Sequence, residues 1–313
     1  MSTIEKAVAK LERALTVSAE ASSQQESMDQ QNTIEEVLDK LATRADQPSE
    51  VESPATKAPP VDQKEQAVHE NPDVVRLRSV GLIIPETERS QVAEEFRMIK
   101  RPLLKNAFGQ GAALVENGNL IMVSSSFPGE GKTFTSINLA LSIASELDHT
   151  VLLVDADVAR PAVTSYFGID AGPGLVDYLL GEQPDLSALL IKTDIPKLTL
   201  LPAGKRHHHS TELLASEGMR NLLEELSLRY PDRVIIFDSP PLLVTTEASV
   251  LASLVGQIVM VVESEKTTQA ALKEALFLLD HDKSIGLVLN KSRQPFGSEY
   301  GAYYAYSGHA KSQ

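Results

Sequence analysis

The chain has 313 residues and a formal net charge of −14, and it contains no cysteine. The missing thiols exclude disulfides and thiolate metal sites, and the acidic balance argues against a nucleic-acid partner, because phosphate backbones require a basic patch. The charge is unevenly spread, since residues 1–73 hold fifteen acids and seven bases and no Phe, Tyr or Trp precedes Phe96. The first quarter of the chain is therefore predicted not to build a core of its own.

Residues 1–46 are predicted to form an N-terminal arm with two amphipathic helical patterns. Apolar residues recur at helical spacing through 2–15, where Ser2 and Glu5 match a capping box, and a second pattern begins at Thr33. Two interpretations stay open. The patterns are either nascent helices in a disordered arm or helices that dock onto another protein.

Residues 47–89 are predicted to be a disordered linker, because Pro, Ser and Gln are frequent there. Neither a signal peptide nor a membrane span is expected. The N-terminus lacks an apolar core, and the apolar stretch 234–262 is interrupted by Asp238, Pro240 and Glu247.

Residues 90–290 are predicted to form one domain, in which apolar runs alternate with helical patterns. A first helix passes through Glu94, Arg97 and Lys100 and is expected to stop near Pro102. Short runs rich in Val, Ile and Leu are predicted as strands buried on both faces, at 120–124, 151–155, 198–201, 234–238, 258–263 and 285–290. Helical patterns separate them at about 132–147, 175–181, 211–230, 247–254 and 267–280. This alternation predicts a doubly wound α/β fold with a mostly parallel sheet flanked by helices.

A phosphate-binding loop is indicated by the sequence Ser126-Phe-Pro-Gly-Glu-Gly-Lys-Thr133, which follows one predicted strand and opens a predicted helix. In such a loop the main-chain N–H groups surround the phosphates of ATP, Lys132 faces the β and γ groups, and the Thr133 hydroxyl ligates Mg²⁺. One departure is Ser126, which stands where the general pattern has glycine. The alternative is a glycine-rich turn without function, and the order of strand, loop and helix favours a P-loop NTPase instead.

Three acids follow two further predicted strands, and they are Asp155, Asp157 and Asp238. Because the carboxyl ends of parallel strands face the ligand crevice, these side chains are expected to converge on the phosphates. Carboxylates alone would repel a triphosphate, so they indicate Mg²⁺ and a group that takes the proton of an attacking hydroxyl. The alternative is that they are ordinary strand-end acids in solvent.

Residues 291–313 are predicted to be a flexible tail, and it contains four of the seven tyrosines of the chain. The candidate phosphate acceptors are Tyr300, Tyr303, Tyr304 and Tyr306. An enzyme that phosphorylates tyrosine would carry a phosphoryl donor site and its acceptors on one molecule. Aromatic packing or a sticky chain end is the plain alternative.

The segments Pro128-Gly-Glu-Gly-Lys-Thr133, Val154-Asp-Ala-Asp-Val-Ala-Arg-Pro161 and Phe237-Asp-Ser-Pro-Pro241 resemble the Walker A, A′ and B motifs of the bacterial tyrosine kinase (BY-kinase) family. The likeness covers residues 90–313. The chain looks most like the cytoplasmic tyrosine autokinases that accompany exosortase-type exopolysaccharide clusters.

This resemblance implies roles for individual residues. By likeness, ATP is bound by Pro128, Gly129, Glu130, Gly131, Lys132, Thr133 and Phe134, with Asn290 at the adenine. The same likeness assigns Mg²⁺ to Thr133, Asp155 and Asp238, and catalysis to Lys132, Asp155, Asp157 and Arg160. For Arg160 the alternative, a surface arginine that pairs with an acid, stays equally open.

Partners are also implied by the resemblance. The helix with Glu94, Arg97 and Lys100 looks like the family's oligomerisation helix. Lys100 stands where the family has an arginine, and this replacement is expected to weaken a contact that a planar guanidinium group would make. The family further implies a ring-like homo-oligomer, activation by a membrane-embedded chain-length regulator of polysaccharide export, and removal of phosphate by a tyrosine phosphatase. The expected location is cytoplasmic, at the inner membrane through a partner.

A rival within the same broad P-loop class is the partition or division-site ATPase, which switches without kinase activity. Those proteins carry a second lysine early in the loop, where this chain has Phe127 followed by Pro128. They also lack a tyrosine-dense tail. The kinase interpretation is therefore favoured over the ATPase switch.

Overall fold

The computed structural model of the chain describes residues 69–70, 72, 74–83, 90–109, 114–229, 232–280 and 282–293. All of them belong to one unit, Lys64–Gln313. The helices predicted at 2–15 and from Thr33 lie outside the described residues. So do the tail tyrosines Tyr300, Tyr303, Tyr304 and Tyr306.

A mostly parallel sheet forms the centre of the described residues. Its eight strands there are β1 (His69–Glu70), β2 (Leu120–Ser125), β3 (Thr150–Asp155), β4 (Ile191–Thr193), β5 (Leu198–Leu201), β6 (Arg233–Asp238), β7 (Gln257–Glu263) and β8 (Ser284–Asn290). They lie in the order β1-β4-β5-β3-β6-β2-β7-β8, and the β4–β5 pair is antiparallel. The predicted strands correspond to β2, β3, β5, β6, β7 and β8.

Helices cover both faces of this sheet. In the described part of the chain they are α1 (Val74–Ser79), α2 (Gln91–Phe108), α3 (Lys132–Ala144), α4 (Val163–Phe167), α5 (Leu175–Leu179), α6 (Leu186–Leu189), α7 (Ser210–Leu214), α8 (Glu217–Arg229), α9 (Glu247–Leu254) and α10 (Gln269–Phe277). Alternate residues of β2 enter opposite cores, with Leu120 and Met122 in one and Ile121 and Val123 in the other. The predicted α/β fold is thereby confirmed. Burial on both faces was wrong for β8, the last strand in the order, where Ile285, Leu287 and Leu289 are exposed.

Two helix predictions were wrong in their extent. Helix α2 does not stop near Pro102 but continues to Phe108. Pro102 and Met98, whose carbonyl loses its helical partner, are both exposed residues, while Leu103 is buried and stabilises the continuation. The single helix predicted at 211–230 is two helices, because the Ser216 hydroxyl accepts a hydrogen bond from the Met219 N–H and starts α8.

Part of the predicted linker 47–89 is folded, which corrects that boundary. Strand β1 pairs with β4, and helix α1 buries Leu77 in the core. The chain after α1 buries Ile83, whose N–H donates to Asn138 Oδ1 at 2.7 Å. A few apolar residues at the end of a polar stretch are enough to attach it to the domain, although the average composition hides them.

Among the described residues, the helices are all too short or too polar to cross a lipid bilayer.

Candidate functional site

The phosphate-binding loop connects β2 to α3, and two glycines set its shape. Gly129 and Gly131 have φ angles of 86° and 102°, a left-handed conformation that favours glycine. At Gly131 a Cβ atom would also lie 2.0 Å from Asn290 Nδ2. Gly131 is the N-cap of α3 and provides no side-chain cap, so the helix begins with main-chain N–H groups available to an anion.

The Glu130 side chain is turned into the protein, so a contact of Glu130 with a nucleotide would be made by its main chain. Its carboxylate is 3% exposed and accepts hydrogen bonds from the Phe127 N–H, at 2.8 Å, and from the Thr267 hydroxyl. A carboxylate facing the phosphates would repel them, whereas in this position it holds the loop folded. Glu130 therefore contributes to the loop through its main chain.

Lys132 and Asp157 form a buried ion pair at the start of α3. The Lys132 Nζ atom lies 2.6 Å from Asp157 Oδ2, and the side chains are 10% and 6% exposed. The second Asp157 oxygen accepts from the Arg160 N–H at 3.1 Å, which fixes the carboxylate. The structure thus brings together two residues that the sequence assigned to separate motifs.

Asp155 and Asp238 stand side by side at the ends of β3 and β6, where they are paired in register. Asp155 Oδ2 accepts from the N–H groups of Ala162 and Val163, at 2.9 and 3.0 Å. Asp238 Oδ1 accepts from the Ser136 hydroxyl at 3.0 Å. The remaining oxygens, Asp155 Oδ1 and Asp238 Oδ2, are buried without a hydrogen-bond partner. In each carboxylate, therefore, one oxygen is held by hydrogen bonds and the other has no hydrogen-bond partner.

Burial is the main cause that raises the pKa of both carboxyl groups. Burial, and then the charge of Asp238, raise the pKa of Asp155 from 3.8 to about 7. Burial also raises the pKa of Asp238 to about 6, against the opposing effects of the Lys132 ammonium and the hydroxyls of Thr133 and Ser136. A cation placed between the strand ends would favour both ionised forms.

The predicted Mg²⁺ ligands can be compared with this geometry. The described residues contain no group of three or more His, Cys, Asp or Glu side chains arranged around one position. Asp157 pairs with Lys132, which leaves the unsatisfied oxygens of Asp155 and Asp238 as candidate ligands, together with the Thr133 hydroxyl that interacts with Asp238. Mg²⁺ takes one or two carboxylates and completes its shell with water and phosphate oxygens, so these donors fit the ion.

An open cavity of about 780 Å³ lies over the loop. Its walls include these residues assigned from the sequence: Pro128, Gly129, Gly131, Lys132, Thr133, Phe134, Asp157, Arg160 and Asn290. Its walls also include residues that the sequence did not assign: Ala159, Tyr166, Pro240, Pro241, Val244, Thr245 and Lys291. Lys291 directly follows Asn290 and Pro240 lies two residues after Asp238, so the strand-end argument would have found both. Tyr166 packs on the core and also lines the cavity.

The predicted oligomerisation residues on α2 do not share one environment. Glu94 and Arg97 pair with each other on the exposed side of the helix. Lys100 is buried, and its Nζ atom lies 2.6 Å from the Ser142 carbonyl oxygen and 2.6 Å from Glu146 Oε1. The assignment of Lys100 to a contact with another copy was therefore wrong, because its charge is used to attach α2 to the end of α3.

Comparisons with known proteins agree on one group of relatives. The profile of the AAA domain family matches residues 118–282, which is more than half of the chain. The chain is 31% identical over 225 residues to the tyrosine-protein kinase YwqD of Bacillus subtilis (strain 168), covering 71% of this chain and 90% of that protein. Among solved structures it is similar to the chimerical protein CapA2B2, with a TM-score of 0.58, 27% identity, and coverage of 70% of this chain and 98% of that one.

Other relatives are much longer than this chain. It is 30% identical over 244 residues to the succinoglycan biosynthesis transport protein ExoP of Rhizobium meliloti (strain 1021), covering 76% of this chain but 29% of that protein. The chain spans 26% and 22% of two further relatives that are named as tyrosine kinases.

Proposed function

The chain belongs to the bacterial tyrosine kinase family, and on that premise we propose that it is an ATP-dependent autokinase that phosphorylates its own C-terminal tyrosines. The observation that carries this proposal is the pairing of Lys132 and Asp157 in the wall of the cavity over the P-loop, where both charges act on the pKa of the buried Asp238. Phosphoryl transfer requires a cation for the phosphates, a carboxylate near the acceptor and ligands for a metal ion. The site provides a lysine, a carboxylate at the cavity wall and two buried carboxylates for these roles.

The chemistry divides among these residues. A tyrosine hydroxyl has a pKa near 10, so it must be oriented and must lose its proton as it attacks. Its oxygen bonds to the γ-phosphorus while the bond to the β–γ bridging oxygen breaks, ADP leaves, and the proton passes to a carboxylate. All three acids are buried, but only Asp157 lines the cavity, so Asp157 is assigned to the phenol, and Asp155 and Asp238 are assigned, with Thr133, to Mg²⁺. When bound, Mg²⁺ supplies positive charge to the phosphates.

Charge stabilisation during transfer comes from the loop itself. The main-chain N–H groups of the P-loop and the Lys132 ammonium face an anion without needing to reorganise. Arg160 also lines the cavity, which supports its assignment as a second cation for the transferred group.

The predicted tail begins at the wall of the cavity. Asn290 and Lys291 line the cavity, and the acceptors Tyr300 to Tyr306 follow Lys291 by nine to fifteen residues. An extended chain of that length reaches roughly 30 to 50 Å. The tail of one subunit is proposed to enter the cavity of a neighbour in a homo-oligomer, to which the exposed Glu94 and Arg97 contribute.

The biological role is proposed from the names of the chain's relatives. The name of ExoP, a succinoglycan biosynthesis transport protein, supports a role in exopolysaccharide synthesis or export. A membrane chain-length regulator of that export is proposed as the activator, with a tyrosine phosphatase as the opposing enzyme. The proposed location is the cytoplasm, at the inner membrane through this partner.

Incubation with ATP and Mg²⁺, followed by mass spectrometry of the intact protein and of its peptides, tests the activity. Phosphate is expected on the tail tyrosines, and replacing all four by Phe should abolish labelling while nucleotide still binds. Tyr178→Phe, in α5, is the matched control and should label normally. Release of phosphate without any labelled tyrosine would contradict the proposal and favour the ATPase switch.

Transfer between subunits can be tested by mixing two inactive proteins. Lys132→Met keeps the acceptors but lacks the P-loop lysine, and the four-Phe variant keeps the P-loop but lacks the acceptors. Labelling of the Lys132→Met protein in the mixture is expected if the tail acts on a neighbour. An unlabelled mixture, beside a labelled wild type, would show that transfer occurs within one chain.

A further inference from the structure

Two consecutive carbonyl groups of the P-loop are held by the end of β8. The Lys291 ammonium donates to the Gly129 carbonyl at 2.6 Å, and the Asn290 amide donates to the Glu130 carbonyl at 2.8 Å. The loop is thus fastened from outside its own strand–helix unit, by residues 160 and 162 positions further along the chain.

These two bonds set the direction of the neighbouring N–H groups. A trans peptide is planar, with its C=O and N–H pointing in opposite directions, and the described residues contain no cis peptide. Holding the Gly129 carbonyl toward β8 therefore points the Glu130 N–H away from β8. The Asn290 bond does the same for the Gly131 N–H. Main-chain N–H groups of this loop are the donors for phosphate, so their direction decides how well the loop binds nucleotide.

Lys291 is itself held in place by several contacts. Its backbone is left-handed, with φ 58°, which is uncommon for a residue with a side chain. The Nζ atom lies 3.2 Å from Glu263 Oε1, and the Ser264 N–H donates to the Asn290 carbonyl at 2.9 Å. The turn after β7 thereby supports the end of β8, which supports the P-loop.

We propose that Lys291 is a positioning residue for the nucleotide, which it serves by orienting the Gly129–Glu130 peptide group of the P-loop. The inference rests on the proposed function only in that the loop binds a nucleotide. It adds to the nucleotide site a residue that belongs neither to the P-loop nor to the acids at the strand ends.

The chain provides a matched control for this role. Lys266 pairs with the same carboxylate, at 3.1 Å from Glu263 Oε2, but it sits on the turn and is 71% exposed. Replacing Lys266 by Met removes one partner of Glu263 and leaves the Lys291 bond to the loop. Replacing Lys291 by Met removes both the pair and the bond to Gly129.

The test measures binding of ADP with Mg²⁺ by isothermal titration calorimetry, together with KM and kcat for ATP in autophosphorylation. Lys291→Met is expected to raise the Kd for ADP and the KM for ATP about tenfold, the effect of one charge-assisted hydrogen bond, with kcat within about twofold. Lys266→Met should match the wild type. Lys291→Arg, which retains a cation for the Gly129 carbonyl, should recover most of the affinity, a rescue that a merely structural role would not produce.

Two results would overturn the inference: equal affinity of the Lys291→Met and Lys266→Met proteins, or equal weakening by Lys291→Arg and Lys291→Met. Melting curves without nucleotide, by circular dichroism, confirm that the compared variants are folded at the assay temperature. Because ADP binding needs no tyrosine transfer, the calorimetric result stands even if the protein fails to label its tail.

Discussion

Replacing Asp155 by Asn should stabilise the nucleotide-free protein while removing its activity. The amide keeps an oxygen for the N–H groups of Ala162 and Val163, and it cannot ionise. The variant should therefore behave at every pH as the wild type behaves when Asp155 is protonated.

The size of the effect follows from the pKa of Asp155, which rises from 3.8 to about 7 on folding. A shift of about three units corresponds to about 4 kcal/mol, since each unit is about 1.4 kcal/mol. For an acid with a raised pKa in the folded state, this penalty is absent below pH 3.8 and complete above about pH 7. Relaxation and water entry reduce such penalties, so we expect a gain of about 2 to 4 kcal/mol at pH 8.

Urea unfolding between pH 5 and pH 8, followed by circular dichroism because the chain has no Trp, measures this difference. The stability advantage of Asp155→Asn should grow with pH and level off above about pH 7. Asp170→Asn, which changes an exposed acid, should show no such trend. An Asp155→Asn protein that is no more stable than the wild type at pH 8, or whose advantage is equal at pH 5 and pH 8, would refute the reasoning.

Two further predictions use pairs of substitutions. Gly131→Ala combines left-handed strain with a Cβ atom 2.0 Å from Asn290 Nδ2, whereas Gly129→Ala has the strain but no atom within 4 Å. The first should weaken nucleotide binding more than the second, by at least about tenfold in calorimetry, and equal losses would contradict the close approach. Lys100→Met should lower the free energy of unfolding by about 1 to 3 kcal/mol, because it removes the cation bound at the end of α3, while the exposed Arg97→Met should change it by less than about 1 kcal/mol. Urea midpoints check this pair, and a larger effect of Arg97 would be inconsistent with the buried position of Lys100.

The sequence predicted what depends on local pattern and on strand direction. Runs of Val, Ile and Leu identified the inner strands, and the rule that parallel strands end at one edge brought Asp155 and Asp238 together. The same reasoning did not find β4, because three residues carry no period and its antiparallel pairing with β5 depends on tertiary contacts.

Side-chain direction was the information that the sequence lacked. Lys100 and Glu130 are charged residues in motifs, and charge alone gives no reason to expect that both are buried. The partners that make burial tolerable, the Ser142 carbonyl for Lys100 and the Thr267 hydroxyl for Glu130, are distant in sequence. A contact between residues far apart in the chain becomes visible only when the fold is known.

The buried pair of Lys132 and Asp157 has a consequence for the resting protein. A single charge enclosed in this way would cost several kcal/mol, whereas a pair in contact largely offsets that cost. Asp157 therefore serves as a counter-ion for Lys132 within the protein itself. Removing the lysine alone leaves the Asp157 carboxylate buried without its cation, so Lys132→Met should lower both the affinity for nucleotide and the free energy of unfolding. Neutralising Asp157 as well should restore the free energy of unfolding but not the affinity.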